Sequence, residues 1–471
     1  MINTTNSLPL MVEILGELRN QFKLESKFER RMREVKQNTR WNSRGILTPY
    51  TSQLDFSHFA VPEQGAILGG YLTERIKLKQ QMRSIWKSIM LTGSIQRIAD
   101  SEFISLQKEY PSEAGNLAGL AKTATGRAYE IFLEENLPIY QRLKNFYAIN
   151  GGDTSAIGTV SGVPTGNVVP FSWATTDNGN RFFQKGMRIQ FYDTSAVAHR
   201  TLSTDYTAPR AASSQYSMVA NKVDPRSTVN IANNGAVTFD MLPTVALAAG
   251  DTAHIIQGRN AMPQGFLYWV SDVGDLLGES GVIARSAVPE ILTGFVQDNG
   301  GSTDLTPMLM LEMKSFLEGR AGEDMPVKLE IWANKALAYK YALFGMNSAG
   351  AGTQFNVQRF RDTGALGNID VGTEIDGNTF SGVPIVIDSD VPPSKLLWVD
   401  WMGWEVDVQT PDSIYEFHQN QSAYQFANAF GEPTDAKQVT FFSEYNYRCT
   451  RIKTQGIQPN LSYDAKHISY A

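Results

Sequence analysis

Asp388 and Asp390 stand two residues apart, just after the apolar run Ile385-Val386-Ile387. On a strand they would share one face. Two carboxylates so placed could bind a divalent cation, but the same residues also end strands without any ligand. Glu134-Glu135 is a second carboxylate pair. Adjacent residues on a helix point apart, which favours a solvated face over joint acid–base work. The histidines are His58, His199, His254, His418 and His467, and none lies within four residues of another, so a HExxH zinc helix is absent. Gly278-Glu279-Ser280-Gly281 is one residue short of a nucleophile elbow and has no strand–turn–helix frame. Gly350-Ala351-Gly352 lacks the lysine of a phosphate-binding loop. Cys449 is the only cysteine, which excludes a disulfide within the chain and a cysteine zinc site. It reads as a small core residue on a strand. Trp398, Trp401 and Trp404 could stack on a ligand, yet core packing or an intersubunit contact is the better use of them. No catalytic, cofactor-binding or metal-ligating residue is assigned, and no cofactor is expected.

The elements that hold these residues belong to a long, loop-rich chain. Its 471 residues prescribe two to four structural units. A hydrophobic fraction of 42% and a charged fraction of 19% are those of a folded protein, and 39 glycines and 20 prolines suit a partly β architecture. The net charge of -6 excludes a general polyanion binder. The first residues, Met1-Ile2-Asn3-Thr4-Thr5, do not read as a signal peptide. No run approaches the ~18 apolar residues that span a membrane.

Along the chain, Leu8, Leu10, Met11, Ile14, Leu15, Leu18 and Phe22 recur at helical spacing, and a charged helix then continues to Lys36. Ile76 and Leu78 alternate with Lys77 and Lys79 as on a strand. A long helical pattern occupies Phe103 to Gly152. Residues 168–262 form a block of short alternating strands, with Met187, Ile189 and Phe191 opposite Arg188, Gln190 and Tyr192, and Val237, Phe239 and Met241 opposite Thr238 and Asp240. Thr306-Pro307 opens a helix that Gly319 and Gly322 are expected to stop, "VKLEIWANK" is a strand, and "KALAYKYALFG" is a helix ending at Gly345. Residues 347–378 read as a long loop. Strands on either side of Pro392-Pro393 and an alternating run from Val439 to Tyr447 complete the pattern.

Two stretches carry a family resemblance. "AGNLAGLAKTATGRAYEIFLEENLPIYQRLKNFYAINGG", ending in Gly151-Gly152-Asp153-Thr154, resembles the spine helix and following turn of tailed-phage major capsid proteins of the Hong Kong 97 type. Gly382-Val383-Pro384-Ile385-Val386-Ile387-Asp388, then Val391-Pro392-Pro393, resembles the axial-domain sheet of the same family. The resemblance covers most of residues 40–471. It implies an α+β, Hong Kong 97-like fold: N-terminal arm (1–45), E-loop (46–98), peripheral domain with the spine helix (99–167), an inserted β-barrel-like domain (168–262), axial domain (263–435) and returning strands (436–471). It implies a structural protein, not an enzyme. The subunit would form hexamers and pentamers of an icosahedral shell around double-stranded viral DNA, in a virion assembled in the host cytoplasm. Portal protein, and scaffold or decoration proteins, would be partners; a membrane would not. Phe56, Phe59, Ile85 and Trp86 lie on the segment expected to project, and are candidate intersubunit anchors. Arg30, Arg31, Arg33 and Lys36 would face a neighbour or packaged DNA, or else form a solvated helix face. An encapsulin-like compartment shares the implied fold. An enzyme with a site in residues 265–400 is the competing class.

Overall fold

The computed structural model describes residues 26–35, 37–38, 46–53, 74–92, 140–152, 156–172, 179–194, 218–224, 235–239, 246–255, 258–259, 261–279, 281–321, 327–347, 379–417 and 436–463. Phe56, Phe59, Lys36, the arm before Ser26, the 348–378 stretch and most of the 103–152 helix lie outside them. The described parts fall into two compact units. One draws on Met1–Ser26, Arg83–Asn145 and Gln409–Tyr445, the other on Lys27–Met82, Phe146–Val408 and Asn446–Ala471.

The larger unit opens with helix α1 (Lys27–Val35), followed by strands β1 (Ile46–Gln53) and β2 (Glu74–Gln80). The two strands pair antiparallel from Ile46↔Gln80 to Gln53↔Glu74. Alternation decides their faces: Thr48, Tyr50, Leu78 and Gln80 are buried, while Leu47 and Lys77 point outward. A two-stranded ribbon is marginal by itself in water. This one is tied down at its base. The Tyr50 hydroxyl donates to the Cys449 carbonyl and the Gln80 amide to the Tyr447 carbonyl, while Arg448 Nη1 lies 2.9 Å from Thr48 Oγ1.

Strand β3 (Arg83–Thr92) belongs to the smaller unit. Helix α2, described over 140–150, closes with Gly151 N donating to Tyr147 O at 2.8 Å. Next come β4 (Gly158–Thr159), β5 (Val168–Phe171), β6 (Arg188–Tyr192), β7 (Met218–Asp224), β8 (Gly235–Phe239) and β9 (Thr252–Ile255). They make one sheet in the order β4-β9-β6-β7-β8-β5. A Val160↔Phe171 bridge, with Ser172 N donating to Thr159 O at 2.8 Å, joins its two ends, so the ladder closes on itself. Phe171, Phe183, Phe191 and Phe239 fill the middle with ring centroids 4.4–6.4 Å apart. The closure needs β4, so the sheet begins ten residues before the 168 expected from the strand pattern; two-residue strands leave no alternation to detect.

A second six-stranded sheet follows. It takes β10 (Phe295–Val296), β11 (Leu329–Ala333), β12 (Thr379–Phe380), β13 (Val383–Ile387), β14 (Leu396–Asp400) and β17 (Gly456–Gln458). Helices α3 (Pro307–Ala321) and α4 (Lys335–Asn347) lie between β10 and β12 in sequence. The order is β10-β17-β14-β11-β13-β12, with β11 parallel to β13 and antiparallel to β14. Ser381 and Gly382 both have positive φ, 49° and 83°, which is the mirror-image turn that joins β12 to β13. As expected, Thr306 caps α3, its hydroxyl accepting from Leu309 N at 3.3 Å. The helix runs through Gly319 to Ala321. Buried Leu317 and Ala321 pin the turn on either side, which outweighs the roughly 1 kcal/mol that a mid-helix glycine costs. Helix α4 passes Gly345 by two residues to Asn347. Met310, Met313 and Leu317 of α3 pack on Ile331, Ile385 and Trp398 of the sheet.

In the smaller unit, β3 pairs antiparallel with β16 (Ala436–Cys449) from Thr92↔Ala436 to Arg83↔Tyr445. Strand β15 (Trp404–Phe417) neighbours β16 in the same sheet. The Tyr140 hydroxyl lies 2.6 Å from Ser443 Oγ and donates to Ile85 O at 3.3 Å. Lys144 is buried with its Nζ 4.6 Å from the Tyr140 ring and 5.1 Å from that of Tyr445. Residues 83–92 are thus a sheet strand and not part of a free projecting ribbon. Strand alternation then divides two candidate anchors. Ile85 is 5% exposed, so it is a core residue of this subunit, while Trp86 is 55% exposed.

Candidate assembly surface

The residues with chemical potential resolve into structural roles. Asp388 Oδ1 accepts from Asp390 N at 2.8 Å, a local turn that ends β13. Among the described residues no group of three or more His, Cys, Asp or Glu could hold a metal ion. Gly278 N donates to Gly281 O at 2.6 Å, so that segment is a tight turn between Asp275–Leu277 and Val282–Ala284. Cys449 is fully buried, and burial pushes its thiol pKa up, away from the reactive thiolate. The three tryptophans are core residues whose indole N–H groups are all used: Trp398 on Gln458 at 3.0 Å, Trp401 on Glu330 at 2.6 Å, Trp404 on Gln455 at 3.1 Å. A serine–lysine–carboxylate contact that the sequence does not advertise joins Ser462, Lys340 and Asp304. The Lys340 hydrogen bond holds Asp304 below the usual carboxylate range. The contact ties the chain after β17 to α4.

The larger unit is organised around the turn Asp388–Val391. Arg181, 2% exposed, donates from Nη1 to Ser389 O at 2.6 Å and Val391 O at 2.9 Å, and from Nη2 to Asp390 O at 3.2 Å. Asn334, at the end of β11, donates to Ser389 O and Val391 O at 3.3 and 3.1 Å. Asn150, at the end of α2, donates to Asp390 O at 2.8 Å. One turn therefore fastens the end of α2, the closed β-sheet and the second sheet. Beside it, Gly265 N donates to Gly151 O at 3.1 Å, and a Cβ on Gly265 would lie 2.2 Å from Tyr147 O.

The basic candidates divide as well. Arg31 pairs with Glu330 of β11 at 2.7 Å, and Arg33 pairs with Glu29 on the same helix. Both are thus engaged inside the subunit, because α1 lays its Phe28–Met32 face on the sheet and brings Arg31 over Glu330. Arg30 remains exposed. The exposed apolar side chains among the described residues include Trp86 and three on α3. Trp86 lies with its ring 4.0 Å from that of Phe442. On α3 the outer face carries Met308, Leu311 and Phe316, all half exposed or more. The exposed Glu312, Ser315 and Glu318 share that face.

No protein-family profile matches the sequence, and no curated protein is similar to it. Among solved structures, the chain is similar to the capsid asymmetric unit of cyanophage A-1(L). The identity is 10%, over 94% of this chain and 95% of that one, with a TM-score of 0.45. It is similar to the capsid of an empty GTA particle at 8% identity, over 95% and 94% of the two chains, with a TM-score of 0.40. A structure from Mycobacterium phage Patience is similar at 10% identity, over 100% and 91%, with a TM-score of 0.37.

Arg181, Asn150 and Asn334 carry no sequence signal. Donors that grip backbone carbonyls can stand at any spacing, and only the folded turn defines them. The outer apolar residues of α3 could have been found, since Met308, Leu309, Met310, Leu311 and Met313 surround its first turns, interrupted there by Glu312 alone.

Proposed function

We propose that this chain is a major capsid protein of the tailed-phage type, a structural subunit whose copies form the hexamers and pentamers of an icosahedral shell around double-stranded DNA. The observation that carries the proposal is a meeting of two segments. The stretch whose wording resembles the spine helix ends at Asn150, and the stretch that resembles the axial sheet turns at Asp388–Val391. Asn150 donates to Asp390 O, so the two resemblances, far apart in sequence, join at one junction. In this proposal β1 and β2 belong to the E-loop. The sheet of β10–β14 and β17 with α3 and α4 is the axial domain. The closed sheet of residues 158–255 is a β-barrel-like insertion. Portal protein, and scaffold or decoration proteins, are the expected partners in the virion. Electron microscopy of purified protein, alone and co-expressed with the phage's assembly factors, tests the proposal. Closed shells with hexameric and pentameric units are expected, and small particles under both conditions would sink it.

Trp86 supplies a sharper test. Its ring is more than half exposed and touches Phe442 within its own sheet. Trp86→Ala is expected to change subunit stability by only about 0.5–1.5 kcal/mol, the worth of an aromatic pair. Shell yield should fall steeply, since a truncated interface anchor costs about 2 kcal/mol or more at each contact. The melt of the unassembled subunit and the yield of shells are measured on the same preparation. An early melt with normal yield at low temperature would assign Trp86 to its own subunit.

A further inference from the structure

We propose that Asn299 is a site of spontaneous deamidation, at which the Gly300 nitrogen closes a succinimide ring that water opens to aspartate and isoaspartate. Asparagine is among the thermolabile residues. In this reaction the backbone nitrogen of the next residue attacks the side-chain carbonyl carbon. The bond from Gly300 N to Asn299 Cγ forms, the bond from Cγ to Nδ2 breaks, and ammonia leaves with the proton that the nitrogen gives up. Water then cleaves the ring at one carbonyl or the other, so a neutral amide becomes a carboxylate. No reagent but water is consumed. The step needs an unshielded nitrogen and a side chain free to turn onto it. Glycine supplies the first, because it has no Cβ.

Four asparagines precede a glycine: Asn150, Asn178, Asn234 and Asn299. Asn178 and Asn234 lie outside the described residues. The fold treats the other two in opposite ways. Asn150 is buried and its amide is committed to Asp390 O at 2.8 Å. Gly151 N is committed to Tyr147 O at 2.8 Å, and a Cβ position on Gly151 lies 2.2 Å from Pro263 O and Tyr147 O. Main chain packed so closely bars the Asn150 side chain from swinging onto that nitrogen. Asn299 is exposed between two exposed neighbours, and its side chain makes no hydrogen bond among the described residues. Around Gly300 nothing lies within 4 Å of a Cβ position. Gly300 N donates to Asp298 Oδ1 at 2.9 Å, an exposed contact that water can replace. The product has a defined reach. Gln297 N donates to Ile457 O at 3.0 Å and Thr303 N to Asn460 O at 2.9 Å, so the loop is pinned on both sides of Asn299. Isoaspartate adds one backbone atom between those pins. The new carboxylate also stands next to Asp298, whose two oxygens each lie 3.1 Å from Asn460 Nδ2.

The full chain is incubated at mildly alkaline pH, folded and in denaturant, and its digested peptides are weighed at intervals. Enzymatic methylation of isoaspartate reads the same samples. In the folded chain Asn299 is expected to gain one mass unit at a rate close to that in denaturant, with isoaspartate appearing alongside. Asn150 is expected to convert in denaturant and to stay intact in the folded chain. Gly300→Ala should slow conversion of Asn299 severalfold in denaturant, where its effect on the folded loop plays no part. Conversion of Asn299 in denaturant but not in the folded chain overturns the proposal. So does conversion of Asn150 in the folded chain as fast as that of Asn299. A Gly300→Ala chain that converts in denaturant at the wild-type rate overturns ring closure by the Gly300 nitrogen.

Discussion

Gly265→Ala is expected to destabilise the larger unit by about 3–5 kcal/mol, a large share of what holds a domain together. The cause is a backbone crossing. The added Cβ would fall 2.2 Å from Tyr147 O and 2.8 Å from Ala148 O. These are main-chain atoms of α2's last turn and cannot swing aside as the end of a side chain can. Relief requires the segment around Gly265 to move off the helix, and that breaks the 3.1 Å bond from Gly265 N to Gly151 O. Gly151 faces the same crossing, its own Cβ position lying 2.2 Å from Pro263 O and Tyr147 O. Gly319→Ala is the control. That glycine lies within α3, its Cβ position is open, and alanine there should stabilise by up to about 1 kcal/mol. Hydrogen exchange at α2 and β11, with thermal melts, reads both variants. A Gly265→Ala subunit that melts with wild type would refute the crossing as a constraint.

That crossing also shows how much of the molecule was legible in the sequence. The glycine pair after Asn150 was visible as a helix stop, and Gly151 does close α2. Its second purpose, close approach to the chain at Gly265, depends on a residue more than a hundred positions away and leaves no local pattern. The long-period signals survive folding well. The alternation of Val237 and Phe239, the cap at Thr306 and the two strands around Pro392-Pro393 all appear where the side-chain periods put them, because burial on one face enforces each. Boundaries set by packing do not. Gly319 failed to end α3, and β4 was missed, since each depends on what a distant segment supplies.

The candidate surface was legible in part for the same reason. Ile85 and Trp86 were grouped as two exposed apolar residues on a projecting ribbon. Pairing with β16 instead makes β3 a sheet strand, and a strand sends neighbours to opposite faces. One became core and the other stayed outside. From the sequence Arg31 reads as facing a neighbour, packaged DNA or solvent, because its partner, Glu330, lies 299 residues away. A sequence window could show that α1 is amphipathic and basic. It could not show that the basic face meets a carboxylate of the same chain.

Arg181→Lys should separate charge from geometry at the Asp388–Val391 turn, with a loss of about 3 kcal/mol despite the conserved charge. Arg181 is buried, its guanidinium carbon lies 4.1 Å from the Phe182 ring centroid, and its planar fork reaches three successive carbonyls. Lysine offers one compact ammonium on a flexible stem and cannot span Ser389 O, Asp390 O and Val391 O together. Hydrogen bonds to charged groups contribute about 1.5–3 kcal/mol each, but the loss here is partly buffered. Asn334 still serves Ser389 O and Val391 O, and Asn150 still serves Asp390 O. The buffering is itself testable. Asn334→Leu alone leaves Arg181 on all three carbonyls and should cost about 1 kcal/mol or slightly more. Arg181→Leu with Asn334→Leu strips both donors from Ser389 O and Val391 O, and buried carbonyls left without a donor cost about 1–3 kcal/mol each. The double variant should therefore lose more than the sum of the two single leucine variants, by about 1 kcal/mol or more. Additive losses in a double-mutant cycle on the unassembled subunit would mean that the two side chains act on the turn independently. In that case the turn is no shared junction for α2, the closed sheet and the second six-stranded sheet.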